Sequence, residues 1–183
     1  MKNQDVVIDA VKGALAGAVA VWVMDRVTWD LYRNQPPEAF RQEKEAQVED
    51  TFAAQVAAKK TAEATGTDLS EEQVYDRGQV IHYAIGMLPG ALYGALRNRR
   101  EGVGTWRGLA YGLALFLIAD ELLNPLLGLT SGPTRYPWQT HARGLIGHLV
   151  LGGVTDTVFD VLSQASGTRT VELIPPKRLN LSA

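Results

Sequence analysis

Cysteine is absent from the 183 residues, which removes disulfides, zinc–thiolate sites, iron–sulfur clusters and thiol nucleophiles at once. An excess of one charge is missing too: 18 basic and 20 acidic residues give a formal net charge of -2. With no basic field to hold a phosphate backbone, nucleic acid is excluded as a partner. No glycine-rich phosphate loop follows a strand, and no Ser-based or His-x-Asp constellation stands at useful spacing, so hydrolases lack their machinery here. His82, His148 and Glu121 are metal-ligand types, but the Glu-x-x-His spacing of di-iron bundles is lacking, and neither a metal nor another cofactor is expected. Any chemistry must use carboxylates, histidines or hydroxyls, and no catalytic residue is assigned.

A uniformly apolar profile is also lacking, since the mean hydropathy is -0.07. That average hides segregation, because residues 34–77 and the tail after Ser166 hold much of the charge. Four apolar segments remain, at about 11–32, 79–97, 105–127 and 139–164. The first could be a signal peptide. Asp5 and Asp9 spoil the positive leader, however, and the helical pattern runs past Met24 through Val27, Trp29 and Leu31, which favours a retained helix. Pro36-Pro37 stops that helix. An Ala/Glu/Lys-rich run from Glu38 to Thr65 follows, in which Val48, Phe52 and Val56 recur every four residues. This run is either a surface-lying amphipathic helix or a solvated one. Gly66 ends it, and Ser70-Glu-Glu-Gln73 has the form of a capping box for the next helix. Asn124-Pro125 bends or ends the third helix, and Gly167 is placed to cap the fourth.

Glycine decides between a soluble helical bundle and a membrane one. It costs about 1 kcal/mol relative to alanine within a helix in water, yet Gly13/Gly17, Gly86/Gly90/Gly94 and Gly108/Gly112 lie four apart, and Gly152 sits in the last helix. In lipid such faces let helix backbones approach closely. Trp29, Trp106 and Trp138 fall at helix ends, where amphipathic rings suit the membrane interface, with Trp22 the exception. The reading is an all-α, four-helix transmembrane bundle over residues 1–168 with a polar, partly helical loop between helices one and two. Its partner is the lipid bilayer, and a homo-oligomer or another membrane partner could join it. Arg97, Arg99, Arg100 and Arg107 flank the turn between helices two and three, which places that turn, both termini and the tail 169–183 in the cytoplasm.

Asn124-Pro-Leu-Leu-Gly-Leu-Thr130, then Pro137-Trp138, then Gly147-His148-Leu-Val150 occur in an order and spacing that resemble the YagU-like family of bacterial inner-membrane proteins, a domain of unknown function. The resemblance implies a polytopic inner-membrane protein and supplies no reaction.

Under that orientation Asp25, Arg26, His82, Asp120, Glu121, Asn124, Arg143 and His148 all fall in the outer half of the bilayer. Ionisable groups there are expensive and face one another or a water-filled cavity. One reading is an ion-pair lock in which Arg26 and Arg143 compensate Asp25, Asp120 and Glu121. The other is proton relay or sensing, with His148 beside Glu121 or Asp120. The expected function is accordingly a non-enzymatic accessory or envelope-stress protein. A small proton-coupled transporter or pH sensor is the alternative, and a soluble helical bundle the second one.

Overall fold

The computed structural model describes residues 3–97 and 106–166. Gly167, the tail 169–183, and Arg99 and Arg100 of the arginine-rich turn lie outside them. Helix α1 spans Asn3–Arg33, α2 Pro37–Ala46, α3 Ala53–Ala64 and α4 Glu71–Arg97. Helix α5, Arg107–Leu115, runs on as a π-helix over Phe116–Leu123 and ends in one turn, α6, at Asn124–Leu126. A 3-10 turn at Pro133–Arg135 leads to α7, Trp138–Ala165. No strand occurs among the described residues.

Local sequence explains most boundaries. Pro36 adopts an extended backbone and Pro37 takes the first position of α2, where a missing N–H costs nothing, so the chain breaks cleanly after α1. Gly66 (φ 64°) and Gly128 (φ 64°) supply the left-handed residue after α3 and α6. In both places the N–H two residues past the cap returns to the last turn, Thr67 to the Ala62 carbonyl at 2.9 Å and Leu129 to that of Asn124 at 2.8 Å. The capping box forms, with the Gln73 amide donating to Ser70 Oγ at 3.3 Å and the Ser70 amide to Gln73 Oε1 at 2.9 Å. Pro125 cannot donate into the helix that precedes it. The turn there widens, and the Asn124 amide bonds back five residues to the Ala119 carbonyl.

Three helices, Asp5–Arg33, Arg107–Leu126 and Trp138–Ala165, are long and apolar enough to cross a membrane. They mark the chain as a membrane protein. Helix α4 has 27 residues, but Pro89, its glycines, His82 and three tyrosines dilute its hydropathy, and it is not among these three.

Helix α4 packs on α1, α1 on α7 and α7 on α5, while α3 lies on α4. The glycines set these contacts. A methyl on Gly17 would stand 2.5 Å from the Gly86 carbonyl oxygen, one on Gly90 2.6 Å from that of Gly13, and one on Gly108 2.6 Å from that of Gly152. A methyl on Gly112 would overlap the His148 carbonyl, and one on Gly94 the Asp9 carbonyl. The glycine faces on α1, α4, α5 and α7 are therefore filled by one another within the chain. Small residues fill much of the space between helices, with Ala16, Ala20, Val21 and Thr155 at 1% exposure or less, and Phe159 is the large side chain equally buried there.

Candidate functional site: a roofed chamber

The α1–α4 and α6–α7 connections lie at one end of the molecule, where α2 and α3 roof a chamber of about 870 Å³. That size is ordinary for a small-molecule site. Asp25, Arg26, His82, Asp120, Glu121, Asn124, Arg143 and His148 all line it, although they come from four separate stretches of chain. The wide π turn contributes Phe116, Asp120 and Glu121, and Asn124 follows at the start of α6, on the same wall, a use of π-helices that recurs at functional sites.

All three histidines of the chain face this chamber, each beside a carboxylate. His82 Nε2 stands 2.7 Å from Asp25 Oδ1 and so joins α4 to α1. His141 Nδ1 stands 2.7 Å from Glu121 Oε1, and its Nε2 3.0 Å from the Pro133 carbonyl. Both ring nitrogens of His141 face acceptors. The pair is fully hydrogen-bonded only when it holds one proton more than a neutral imidazole and an ionised carboxylate together hold. His148 Nδ1 donates to the Gly144 carbonyl at 2.9 Å and lies 3.5 Å from Asp120 Oδ2. Asp120 also receives a long contact from Asn124 Nδ2 at 3.4 Å.

The two arginines do something other than compensate Asp25, Asp120 and Glu121. Arg26 turns back along α1, with its guanidinium 3.5 Å from the Trp22 ring centroid and Nη1 donating to the Trp22 carbonyl at 3.0 Å. Arg143 reaches the roof, where Nη1 donates to Glu43 Oε2 at 3.0 Å and to Gln35 Oε1 at 3.1 Å, and Nη2 meets Glu43 Oε1. The two side chains are 13% and 3% exposed, and the guanidinium also stands over Tyr32. This bidentate pair latches α2 onto α7. Gln42 and Lys60 add weaker ties from the roof to the carbonyls of Arg135 and Leu127. The wiring differs from the expected lock because α2 supplies a buried carboxylate of its own.

Glu43 is the residue that sequence reasoning passed over, one carboxylate among many in a polar stretch. Its signal was the spacing Ala39, Glu43, Ala46, which puts the carboxylate on the small-residue face that α2 buries. Tyr136, in the loop before α7, has its hydroxyl raised above the ordinary value by burial first, with Glu43 adding to the shift and a backbone hydrogen bond from Ser131 opposing it. It therefore stays a neutral donor over the range where histidine titrates.

At the other end, Arg97 of α4 inserts between Asp156 and Asp160 of α7, with Nε 2.7 Å from Asp156 Oδ1 and Nη2 2.9 Å from Asp160 Oδ1. Tyr93 Oη donates to Asp156 at 2.6 Å. Arg97 is 6% exposed, so this clamp fastens α4 to α7 away from the chamber.

An all-helical fold with bilayer-length apolar helices and a roofed polar chamber defines a membrane protein. More particularly, the family DUF1440, described as a protein of unknown function, matches residues 32–157, and the chain belongs to that family. The match takes in the roof, the π segment and all three histidines. No curated protein and no solved structure matches the chain.

Proposed function

We propose that this is a small inner-membrane protein, kin to the YagU-like proteins, in which α1, α4, α5–α6 and α7 all span the bilayer as a four-helix bundle. Both termini lie in the cytoplasm and the chamber faces the outer side. Support for α4 as a span comes from its uncovered face, where Val80, Leu88 and Leu92 are 60–71% exposed and apolar, a surface suited to acyl chains. The chamber takes up and releases protons, which makes the protein a proton-coupled transporter or pH sensor rather than a passive accessory. A single observation carries this reading: every histidine of the chain sits within 2.7–3.5 Å of a carboxylate around one cavity. Protonated, the His82–Asp25 and His141–Glu121 pairs hold a charge-assisted hydrogen bond, roughly twice as strong as a neutral one, that ties α1 to α4 and the π segment to α7, and His148 places a positive charge beside Asp120. Deprotonated, the carboxylates face neutral rings and water enters.

The test uses Ala54→Cys, a chamber-lining position on α3, in this otherwise cysteine-free chain. Its rate of thiol labelling is measured at about pH 5.5 and about pH 8, and divided by the rate of the exposed Asp68→Cys to remove the thiol's own titration. The ratio should be several-fold higher at the higher pH, and the difference should vanish in His82→Gln/His141→Gln/His148→Gln. A ratio that does not change with pH, or that changes equally in the triple variant, rules the reading out.

A further inference from the structure

We propose that the chamber binds hydrophobic organic cations, amines or quaternary ammonium compounds, whose charge takes the place of protons held by the three histidines. The proposal rests on the proton-binding reading of the chamber.

Charge balance is the first observation. Asp25, Glu43, Asp120 and Glu121 line the chamber against Arg26 and Arg143. Glu43 is neutralised by Arg143, and Arg26 is turned onto Trp22. Three carboxylates are left with histidines as their local counter-charges, so the chamber carries net negative charge whenever the imidazoles are neutral. Such a cavity repels anions. Tyr32, Tyr75 and Tyr136 are the other titratable side chains on its walls, and a phenol's ordinary value lies well above the range in which histidine titrates. The facing wall of α3 contributes the neutral Gln55.

The walls decide what kind of cation fits. Trp29, Phe52, Phe116 and Met24 face the same space, and aromatic faces attract cations that shed water easily. A volume of about 870 Å³ is far larger than a bare metal ion needs, and among the described residues no three His, Asp or Glu side chains are grouped to hold one. Two buried polar atoms on the chamber wall, Gln55 Oε1 and Thr140 Oγ1, have no hydrogen-bond partner among the described residues. Gln55 Oε1 can only accept, so its open lone pairs add partial negative charge to the wall. Asp120, with its nearest donors at 3.4 and 3.5 Å, is the carboxylate least committed to the protein.

Exchange follows from linkage. A cation that displaces one proton on binding has a Kd that falls about ten-fold per pH unit while the displaced site is protonated. The probe is tetraphenylphosphonium, titrated calorimetrically into the full chain in nanodiscs at about pH 6 and about pH 8, with empty nanodiscs subtracted. Buffers of different ionisation enthalpy count the protons released. Tetraphenylborate, of the same shape and opposite charge, is the control. Saturable tetraphenylphosphonium binding should be several-fold tighter at the higher pH, with proton release at the lower one, and tetraphenylborate should not saturate. The histidine triple variant should bind with no pH dependence, and Asp120→Asn should bind at least ten-fold more weakly while keeping its elution profile. Absence of tetraphenylphosphonium binding at both pH values, or equal binding of tetraphenylborate, overturns the cation assignment. These wild-type measurements decide it even if Asp120→Asn fails to fold. If Ala54→Cys keeps its pH-dependent labelling when the cation does not bind, the proton-binding chamber stands and only its ligand class falls. Cation binding without proton release, together with pH-independent labelling, overturns both.

Discussion

Removing Glu43 tests how the roof is held. Its carboxylate and the Arg143 guanidinium are 3% and 13% exposed, and they are joined through two nitrogens and two oxygens. Taking away one member of such a pair leaves an uncompensated buried charge, at a cost of about 3–5 kcal/mol. Gln35 still accepts one hydrogen bond from Arg143, which places Glu43→Ala near the lower figure. The protein can escape this cost locally, because lifting α2 lets water reach the guanidinium while the packed helices beneath stay in place. The penalty should therefore shift the roof equilibrium rather than global unfolding. With each 1.4 kcal/mol worth about a factor of ten, a penalty of about 3 kcal/mol makes an open roof at least a hundred-fold more populated. Labelling of Ala54→Cys at fixed pH reads this directly: Glu43→Ala should accelerate it by about that factor, up to the rate of the exposed Asp68→Cys. Adding Arg143→Ala should slow it again, since the orphaned charge is then gone. A rate within two-fold of the parent, with no slowing in the double variant, would refute the latch.

Glycine substitutions should split by contact. Gly90→Ala and Gly112→Ala force α1 from α4 and α5 from α7 and should cost at least 1–3 kcal/mol in reversible denaturation. Gly153→Ala, whose methyl would meet nothing closer than Leu109 Cδ2 at 4.0 Å, should be neutral or stabilising by up to about 1 kcal/mol. Equal effects at all three sites would contradict backbone contact as the organising force. Arg97→Gln removes the guanidinium that faces Asp156 and Asp160 and should destabilise by about 3 kcal/mol, while leaving the pH dependence of Ala54→Cys labelling intact. A changed pH profile would mean that the two ends are coupled.

Several helix boundaries were readable from the sequence because each depends on a local device. Ser70 with Gln73, Gly66, and Pro36-Pro37 act within a few residues of themselves. The glycine faces were readable as well, since a spacing of four is visible along the chain, and so was the gathering of polar residues at one end. What escaped was partner choice. Asp25 finds His82, 57 positions away, and Glu43 finds Arg143, 100 positions away; no periodicity encodes such pairings. The roof escaped for a related reason. The stripe Val48, Phe52, Val56 suggested one helix, but Glu49 and Asp50 take positive φ (53° and 59°) in a tight turn that splits the stretch. As a result Val56 is fully buried while Phe52 stays 45% exposed. The π turn was hidden because Pro125 reads equally as a bend, a stop or a widening until the acceptors before it are known.

The central claim is that this chain lies in the membrane with its roofed chamber toward the outer face. Alkaline extraction of membranes, combined with impermeant labelling of single cysteines at Thr61, Gly102 and Thr134 in intact cells, addresses it directly. The account predicts extraction-resistant protein labelled from outside at Thr61 and Thr134 and protected at Gly102. Release into the soluble fraction, or labelling at Gly102 with protection of the other two, would contradict it.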